Sequence, residues 1–232
     1  MKRTQNQDNM KLLEDVGLFI VADGMGGHKG GEIASEIAVQ TISTFFKNNG
    51  DLRENPIECV RRAIAAANDA IQVRGRTDAS LQGMGTTAVV MFFKNQKLFV
   101  GHVGDSRCYL LQKNKIWQLT RDHSLVQEKL RAGIITREQL KTDKMKNVIT
   151  RSVGFEAEVE IDVYQFDCKP GDVFLACSDG LSGMLDDEEI LAIVDSEVFG
   201  RGDVKIAAQK LIDTANQNGG DDNVTAVVVQ VV

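Results

Sequence analysis

The chain has 232 residues, enough for one well-buried domain or two small ones, and its 43% apolar and 26% charged residues are ordinary for a soluble globular protein. A formal net charge of -6 argues against a nucleic-acid surface, which normally carries a basic patch or stripe. The apolar runs 86–93 and 226–232 are far too short to cross a bilayer, residues 1–14 hold no secretory apolar stretch, and Cys59, Cys108, Cys168 and Cys177 form no CxxC pair, so a cytoplasmic protein with buried, reduced thiols is expected.

The first strand signal is 17–22, a β-branched apolar run that ends at Asp23-Gly24. A glycine-rich stretch, 24–31, follows. From Glu32 the period becomes helical: Ile33, Ile37, Thr41 and Phe45 recur every four residues, with Ala34, Ala38 and Ile42 beside them. Pro56 stands where a first-turn proline belongs, and Ile57, Val60, Ile64, Ala67 and Ile71 continue as one apolar stripe, so 32–74 reads as two helices in succession. The middle is strand-rich: 86–93, 97–103, 107–112 and 116–119 are separated by short turns, which suits hairpins and an antiparallel meander. A charged, helix-like segment at 122–147 interrupts this pattern and reads as a small inserted subdomain. Strands return at 159–166 and 173–177, two amphipathic helices follow at 187–194 and 204–216, and the last strand is 224–231. Strands in runs with helices in pairs indicate α+β, with helix pairs covering two stacked antiparallel sheets.

Aspartates recur at strand ends. Asp23, Asp105 and Asp179 each lie just past an apolar strand, and Asp222 sits just before the last one. Any one of them is ordinary turn chemistry. Four in one domain can share an edge, because in an antiparallel sheet one strand's end lies beside its neighbour's start. Crowded carboxylates cannot all stay ionised without a cation, and all-oxygen ligation selects Mg²⁺, Mn²⁺ or Ca²⁺. The glycines after Asp23 and Asp179 leave the backbone carbonyl free to approach an ion. Competing motifs fail on context. The stretch 24–31 lacks the Gly-Lys-Ser/Thr ending of a P-loop, and Gly83, Gly85 and Ala88 match GxGxxA ahead of a strand rather than a helix. Ser106 and Ser178 have no base at triad spacing and read as cap or turn residues. His102 reads as a strand residue with its hydrogen bond satisfied, and His123 as a turn residue.

Taken together, these residues resemble the type-2C (PPM) family of metal-dependent serine/threonine protein phosphatases in its compact bacterial form. The motifs are Arg3-Thr-Gln-Asn-Gln-Asp-Asn9, Val21-Ala-Asp-Gly-Met-Gly-Gly-His28, Gly85-Thr-Thr87, Val103-Gly-Asp-Ser-Arg107, Ser178-Asp-Gly-Leu181 and Gly220-Asp-Asp-Asn-Val-Thr225, in the family's order across nearly the whole chain. The resemblance implies a single phosphatase domain over 1–232, an αββα sandwich with a flap at about 122–152. It implies that Asp23 bridges two metals, that the Gly24 carbonyl contacts one, that Asp179 and Asp222 complete the other, and that Asp8 holds a metal-bound water. Asp105 matches the aspartate of a third, weaker ion, the ions being Mn²⁺ or Mg²⁺. Arg3 matches the arginine that grips the substrate phosphate.

The implied reaction is direct attack of a metal-bridging hydroxide on phosphoserine or phosphothreonine, without a phosphoenzyme. The leaving alkoxide needs a protonated group, a histidine or a metal-bound water. Met25 stands where animal members carry a histidine, and His28 is the nearest candidate, with a purely structural role beside it. Two further departures stand out. Family members usually have a strand ahead of the Arg3 motif, so either a sheet edge is trimmed or the start lies upstream. Thr142-Asp143-Lys144 replaces a His-Pro pair often found in the flap. The expected counterparts are phosphoserine and phosphothreonine proteins, a Hanks-type kinase and its targets, met by a cytoplasmic monomer with no nucleic-acid or membrane partner. Two other readings stay open: a phosphatase of a partner-switching regulator, and a metal-free pseudophosphatase acting as a binding module, against which Asp23, Asp179 and Asp222 weigh.

Overall fold

The computed structural model describes residues 2–48, 55–140 and 142–232, the side chains of 27–29 excepted. Two antiparallel sheets stack between helices. The first has the order β1-β2-β4-β5-β8 and is built from β1 (Asp8–Leu13), β2 (Leu18–Met25), β4 (Ala88–Lys94), β5 (Lys97–Val103) and β8 (Asp162–Asp167), with the short β3 (Gly85–Thr86) pairing the end of β2. The second has the order β10-β9-β6-β7, from β6 (Arg107–Gln112), β7 (Lys115–Gln118), β9 (Val173–Cys177) and β10 (Ala226–Gln230).

The alternation of side chains explains why the central strands are apolar throughout. On β4, Ala88, Val90 and Phe92 face the first helix pair, while Val89 and Met91 face the other sheet. On β9, Phe174 and Ala176 face that same intersheet core, while Val173, Leu175 and Cys177 face the second helix pair. Strands buried on both faces need no polar side. The first helix pair is α1 (Gly27–Asn48) and α2 (Pro56–Thr77), the latter capped by Asn55, whose Oδ1 accepts from the Ile57 N–H at 3.0 Å. Gly101 lets α2 lie close on β5: a Cβ there would stand 2.4 Å from Val60 Cγ1 and 2.6 Å from Ile64 Cδ1.

Residues 122–152 contain α3 (Leu125–Arg131) and α4 (Arg137–Leu140), and the short α5 (Asp179–Ser182) follows β9. The second helix pair is α6 (Asp187–Val194), with an Asp186/Glu189 capping box, and α7 (Val204–Gln217), joined through a π-helical turn, Asp195–Phe199. The four cysteines are buried and form no disulfide among the described residues. No helix among the described residues is long and apolar enough to cross a membrane.

Three readings need correcting. The polar stretch after Asp8 is a strand, β1, paired to β2. Helix α1 begins inside the glycine-rich stretch, at Gly27 rather than Glu32. The expected meander is two hairpins in different sheets: β4–β5 turns through Asn95 and Gln96, both left-handed (φ 52 and 58), whereas β5 and β6 do not pair. The chain passes between sheets at Gly104–Asp105.

Candidate metal centre

Strand register sets the first two acids side by side. Asp8 opens β1 directly opposite Asp23 on β2, so their side chains share one face at the sheet's end. The second sheet supplies the others: β9 runs antiparallel to β10, with Cys177 opposite Ala226, which brings Asp179 beside the loop that carries Asp222. The crossing between sheets delivers Asp105. Four strand-end aspartates and Asp8 therefore meet where the two sheets share an edge.

Asp8 is fixed from the opposite sheet. The hydroxyls of Ser178 and Thr225 each donate to its Oδ2 at 2.7 Å, which leaves Oδ1 buried without a partner. Asp23 lies in the middle, close enough to share a proton with Asp8 and with Asp179. Its backbone is pinned at both ends: the N–H donates to Thr87 Oγ1 at 2.9 Å, and the carbonyl accepts from Thr86 Oγ1 at 2.9 Å and Thr87 N at 2.8 Å. Gly24 and Gly180 sit where no side chain fits, since a Cβ on either would lie 1.9 Å from a backbone oxygen, Gly31 O and Asn223 O respectively. Arg3 Nη2 donates to Asp222 Oδ2 at 2.7 Å. The start of the chain is strapped to the same loop, because Asn223 accepts from the Gln7 N–H at 2.9 Å and donates to Gln5 O at 3.0 Å.

Electrostatics mark this cluster as short of positive charge. Burial, and then Asp8, Asp179, Asp105 and Asp222, hold the Asp23 carboxyl well above the usual carboxylate range. Asp105 is pushed up to about 7 by burial and then by Asp179 and Asp122. Asp179 is raised by burial and by Asp222, and Asp8 by burial, against the hydroxyls of Thr225 and Ser178. Besides Asp8 Oδ1, the buried Oδ1 atoms of Asp105 and Asp179 receive no hydrogen bond. Three bare buried oxygens among mutually repelling acids fit hard divalent cations, and the all-oxygen donor set fits Mn²⁺ or Mg²⁺.

A tighter group of potential ligands lies behind this centre. One atom each from His102, His123 and Asp162 lie within 4.8 Å of one another. The tautomers argue against an ion there. The Gly104 N–H donates to His123 Nδ1 at 3.1 Å, so the ring proton sits on Nε2, 3.3 Å from Asp162 Oδ2, and Arg151 already lies 3.4 Å from Oδ1. His102 Nε2 donates to Ser106 O at 3.0 Å, but Nδ1 has no partner, so this histidine is only half satisfied. Burial lowers its pKa to about 4.

The structure brings Asp8, Asp23, Gly24, Asp105, Asp179, Asp222 and Arg3 to one edge, with His28 on the first turn of α1, its side chain outside the described residues. Sequence reasoning missed Thr86, Thr87, Ser178, Thr225 and Asn223, which hold the acids. Each stood inside a quoted motif, but the pairing of residue 178 with residue 8 has no local signal. Ser178 stands at the N-cap of α5 yet makes no capping bond there.

Comparison with known proteins agrees over nearly the full length. The family described as Protein phosphatase 2C matches residues 2–224. A serine/threonine phosphatase stp of Listeria welshimeri is 38% identical over 233 residues, covering 98% of this chain and 91% of that one. A protein phosphatase PhpP of Streptococcus pneumoniae is 36% identical over 232 residues, covering 98% and 92%. The crystal structure of the Mycobacterium tuberculosis serine/threonine phosphatase PstP/Ppp superposes with a TM-score of 0.91 at 33% identity, covering 100% of this chain and 94% of that one. A PstP catalytic-domain structure in complex with two manganese ions gives a TM-score of 0.86 at 34% identity, with coverage of 100% and 94%.

Proposed function

The chain belongs to the protein phosphatase 2C family and is a metal-dependent serine/threonine protein phosphatase, and from that premise we propose how its own residues divide the work. Asp8, Asp23, Asp179, Asp222 and the Gly24 carbonyl would hold two tight divalent ions, Mn²⁺ or Mg²⁺, and Asp105 with Asp179 would serve a third, weaker one. When bound, such ions neutralise the acids, activate water for direct attack on phosphorus, and stabilise charge on the transferring oxygens.

Asp23, pinned through both backbone groups by Thr86 and Thr87, is the fixed centre of the set. Ser178 and Thr225 lock Asp8 in one rotamer, so that its free Oδ1 points the same way in every molecule. Arg3, half exposed and resting on Asp222, presents its remaining donors to the substrate phosphate. His28 is the proposed proton donor to the leaving alkoxide. The whole chain acts as one domain, with 122–152 as a flap over the substrate. Its substrates are phosphoserine and phosphothreonine proteins, and a Hanks-type kinase and its targets are the proposed counterparts of a monomeric enzyme.

The observation that carries this reading is the set of three buried, unpartnered carboxylate oxygens around Asp23. The test is hydrolysis of p-nitrophenyl phosphate and of a phosphothreonine peptide before and after exhaustive chelation. Activity that vanishes and returns with Mn²⁺ or Mg²⁺ is expected. Full turnover by the stripped protein would overturn the reading.

A further inference from the structure

We propose that His123 is a positioning residue for the reaction, holding the Gly104–Asp105 turn in the pose from which Asp105 reaches the carboxylate centre; this rests on the assignment of Asp105 as a ligand. The residue after Asp105 is held on its own, with Ser106 Oγ 2.7 Å from Thr87 Oγ1 and Ser106 O accepting from His102 Nε2 at 3.0 Å, but the residue before it has no side chain to fix it. Gly104 has a left-handed backbone, φ +105, and no side chain. The Asp105 Oδ1 is buried without a hydrogen-bond partner. On one side the turn abuts Thr87, since a Cβ on Gly104 would lie 2.6 Å from Thr87 Cγ2. On the other side, His123 brackets the same residue twice. The His123 N–H donates to Gly104 O at 2.8 Å, and the Gly104 N–H donates to His123 Nδ1 at 3.1 Å.

Both polar groups of the peptide residue just ahead of Asp105 therefore end on one histidine. The second bond needs a particular tautomer, because Nδ1 accepts only when the neutral ring carries its proton on Nε2. Asp162 selects that tautomer, with Oδ2 lying 3.3 Å from Nε2. Asp162 is itself oriented by the Tyr164 hydroxyl, which donates to Oδ2 at 2.7 Å, and by Arg151. The ring is buried, and it packs on His102 with centroids 4.7 Å apart. Beside it, Arg107 grips Asp122 through contacts of 2.7 to 3.1 Å, which fixes the residue two places after Asp105. Among the described residues, His123 makes both hydrogen bonds to the residue before it. The chain of contacts runs Tyr164, Asp162, His123, Gly104, and it ends at an aspartate that has no other restraint on its free oxygen.

The experiment uses the full chain and Mn²⁺ as the probe. His123→Phe keeps the ring's bulk and removes both nitrogens. His123→Asn returns an acceptor near the Nδ1 position, whereas His123→Gln reaches toward Asp162 and leaves the Gly104 N–H bare. Three quantities are read: Mn²⁺ affinity by calorimetry, the Mn²⁺ concentration for half-maximal phosphopeptide hydrolysis, and amide exchange at Gly104. His123→Phe is expected to weaken the same Mn²⁺ binding step that Asp105→Ala weakens, by about tenfold (~1.4 kcal/mol), and to speed Gly104 exchange. His123→Asn recovers most of both, and His123→Gln recovers neither, which settles the matter even if His123→Phe fails to fold. With Asp105→Ala already present, a histidine substitution adds less than about twofold, because both act through one group.

Fully additive losses, or an Asn variant no better than Gln, would overturn the proposal. A shifted Mn²⁺ requirement in Asp105→Ala with none in any histidine variant sinks this inference alone. If Asp105→Ala leaves Mn²⁺ binding untouched, the assignment of Asp105 as a ligand fails and takes the positioning role with it.

Discussion

Two groups of buried acids respond to burial in opposite ways. Glu197, on the π-helical turn between α6 and α7, is fully answered: Lys210 Nζ donates at 2.6 Å, Arg201 Nη1 at 3.1 Å and Ser196 Oγ at 2.9 Å. Its pKa lies below the ordinary value, with the Lys210 bond as the leading cause. At the sheet edge, Asp8, Asp23, Asp105 and Asp179 are all raised, and the cations near them are Arg3, more than half exposed, and Arg107, which is already engaged by Asp122. Burial alone does not decide whether an acid supports the fold. The groups that arrive with it do. Glu197 is a structural acid, whereas the aspartates are held in mutual repulsion and await charge from outside, at a cost in stability that function repays.

The sharpest way to break this contrast is to neutralise one acid in each group. Asp179→Asn should lower kcat by about a thousandfold or more, the scale of a lost metal ligand worth several kcal/mol. The same substitution should raise the melting temperature of the chelated protein by about 2–4 °C, for ~1 kcal/mol of repulsion relieved. Calorimetry of the ion-free variant decides this, and a lower melting point would mean that Asp179 is as well supported as Glu197. Arg3→Ala tests the cation. It should raise KM for a phosphopeptide about tenfold while kcat moves less, as lost ground-state binding requires, and steady-state kinetics at saturating Mn²⁺ will show whether KM moves.

A gentler probe is pH. An acid whose folded pKa is raised keeps its proton in the folded state while the unfolded chain has lost it. In the ion-free protein these acids should therefore contribute stability that is full below the ordinary carboxylate range, about pH 4, and is lost as pH rises toward about 7, where Asp105 ionises. Mn²⁺ binds the ionised acids, so its addition should flatten or reverse that slope. Glu197 has the opposite sign, with its depressed pKa giving stability that persists above the carboxylate range and is lost as pH falls through it. Melting curves across pH, with and without Mn²⁺, separate the two. The smallest effect on turnover belongs to Glu197→Gln, which should melt measurably lower yet keep kcat and KM within about twofold. A large loss of activity in that variant would tie the π-helical turn to the centre.

Much of this was legible in the chain itself. Strands 97–103, 107–112 and 173–177 and the helix 187–194 were read with the bounds observed, because burial on two faces or one leaves a clean period. Asp8 entered only through the family resemblance, whereas Asp23, Asp105, Asp179 and Asp222 were legible because each is punctuated by a strand end. β1 was not, since it lies at the sheet's edge with Met10 and Leu12 exposed and Lys11 between them, and alternation fades where neither face is covered. The passage at Gly104–Asp105 read as a hairpin because a tight glycine turn looks the same whether the next strand pairs or departs to another layer. The early start of α1 is a matter of close packing: Gly31 lies against Gly24 and the Gln7 side chain, and a tertiary fit of that kind overrides the poor helix propensity of glycine. Ser178 and Thr225 were invisible as partners of Asp8 because nothing local links positions so far apart.

That separation has a consequence for how the enzyme comes into being. Asp8 takes its hydroxyl bonds from residues 170 and 217 positions further along, so its placement waits for a distant part of the chain. Contacts of such long sequence separation form late and slowly, after the entropy of closing a large loop has been met. A nascent chain that ends before residue 222 has Asp8, Asp23, Asp105 and Asp179 but neither Asp222 nor Thr225. Catalytic competence then waits for residues 222–225, and a chain that stops short of them lacks the full set of acids and the Thr225 bond that holds Asp8.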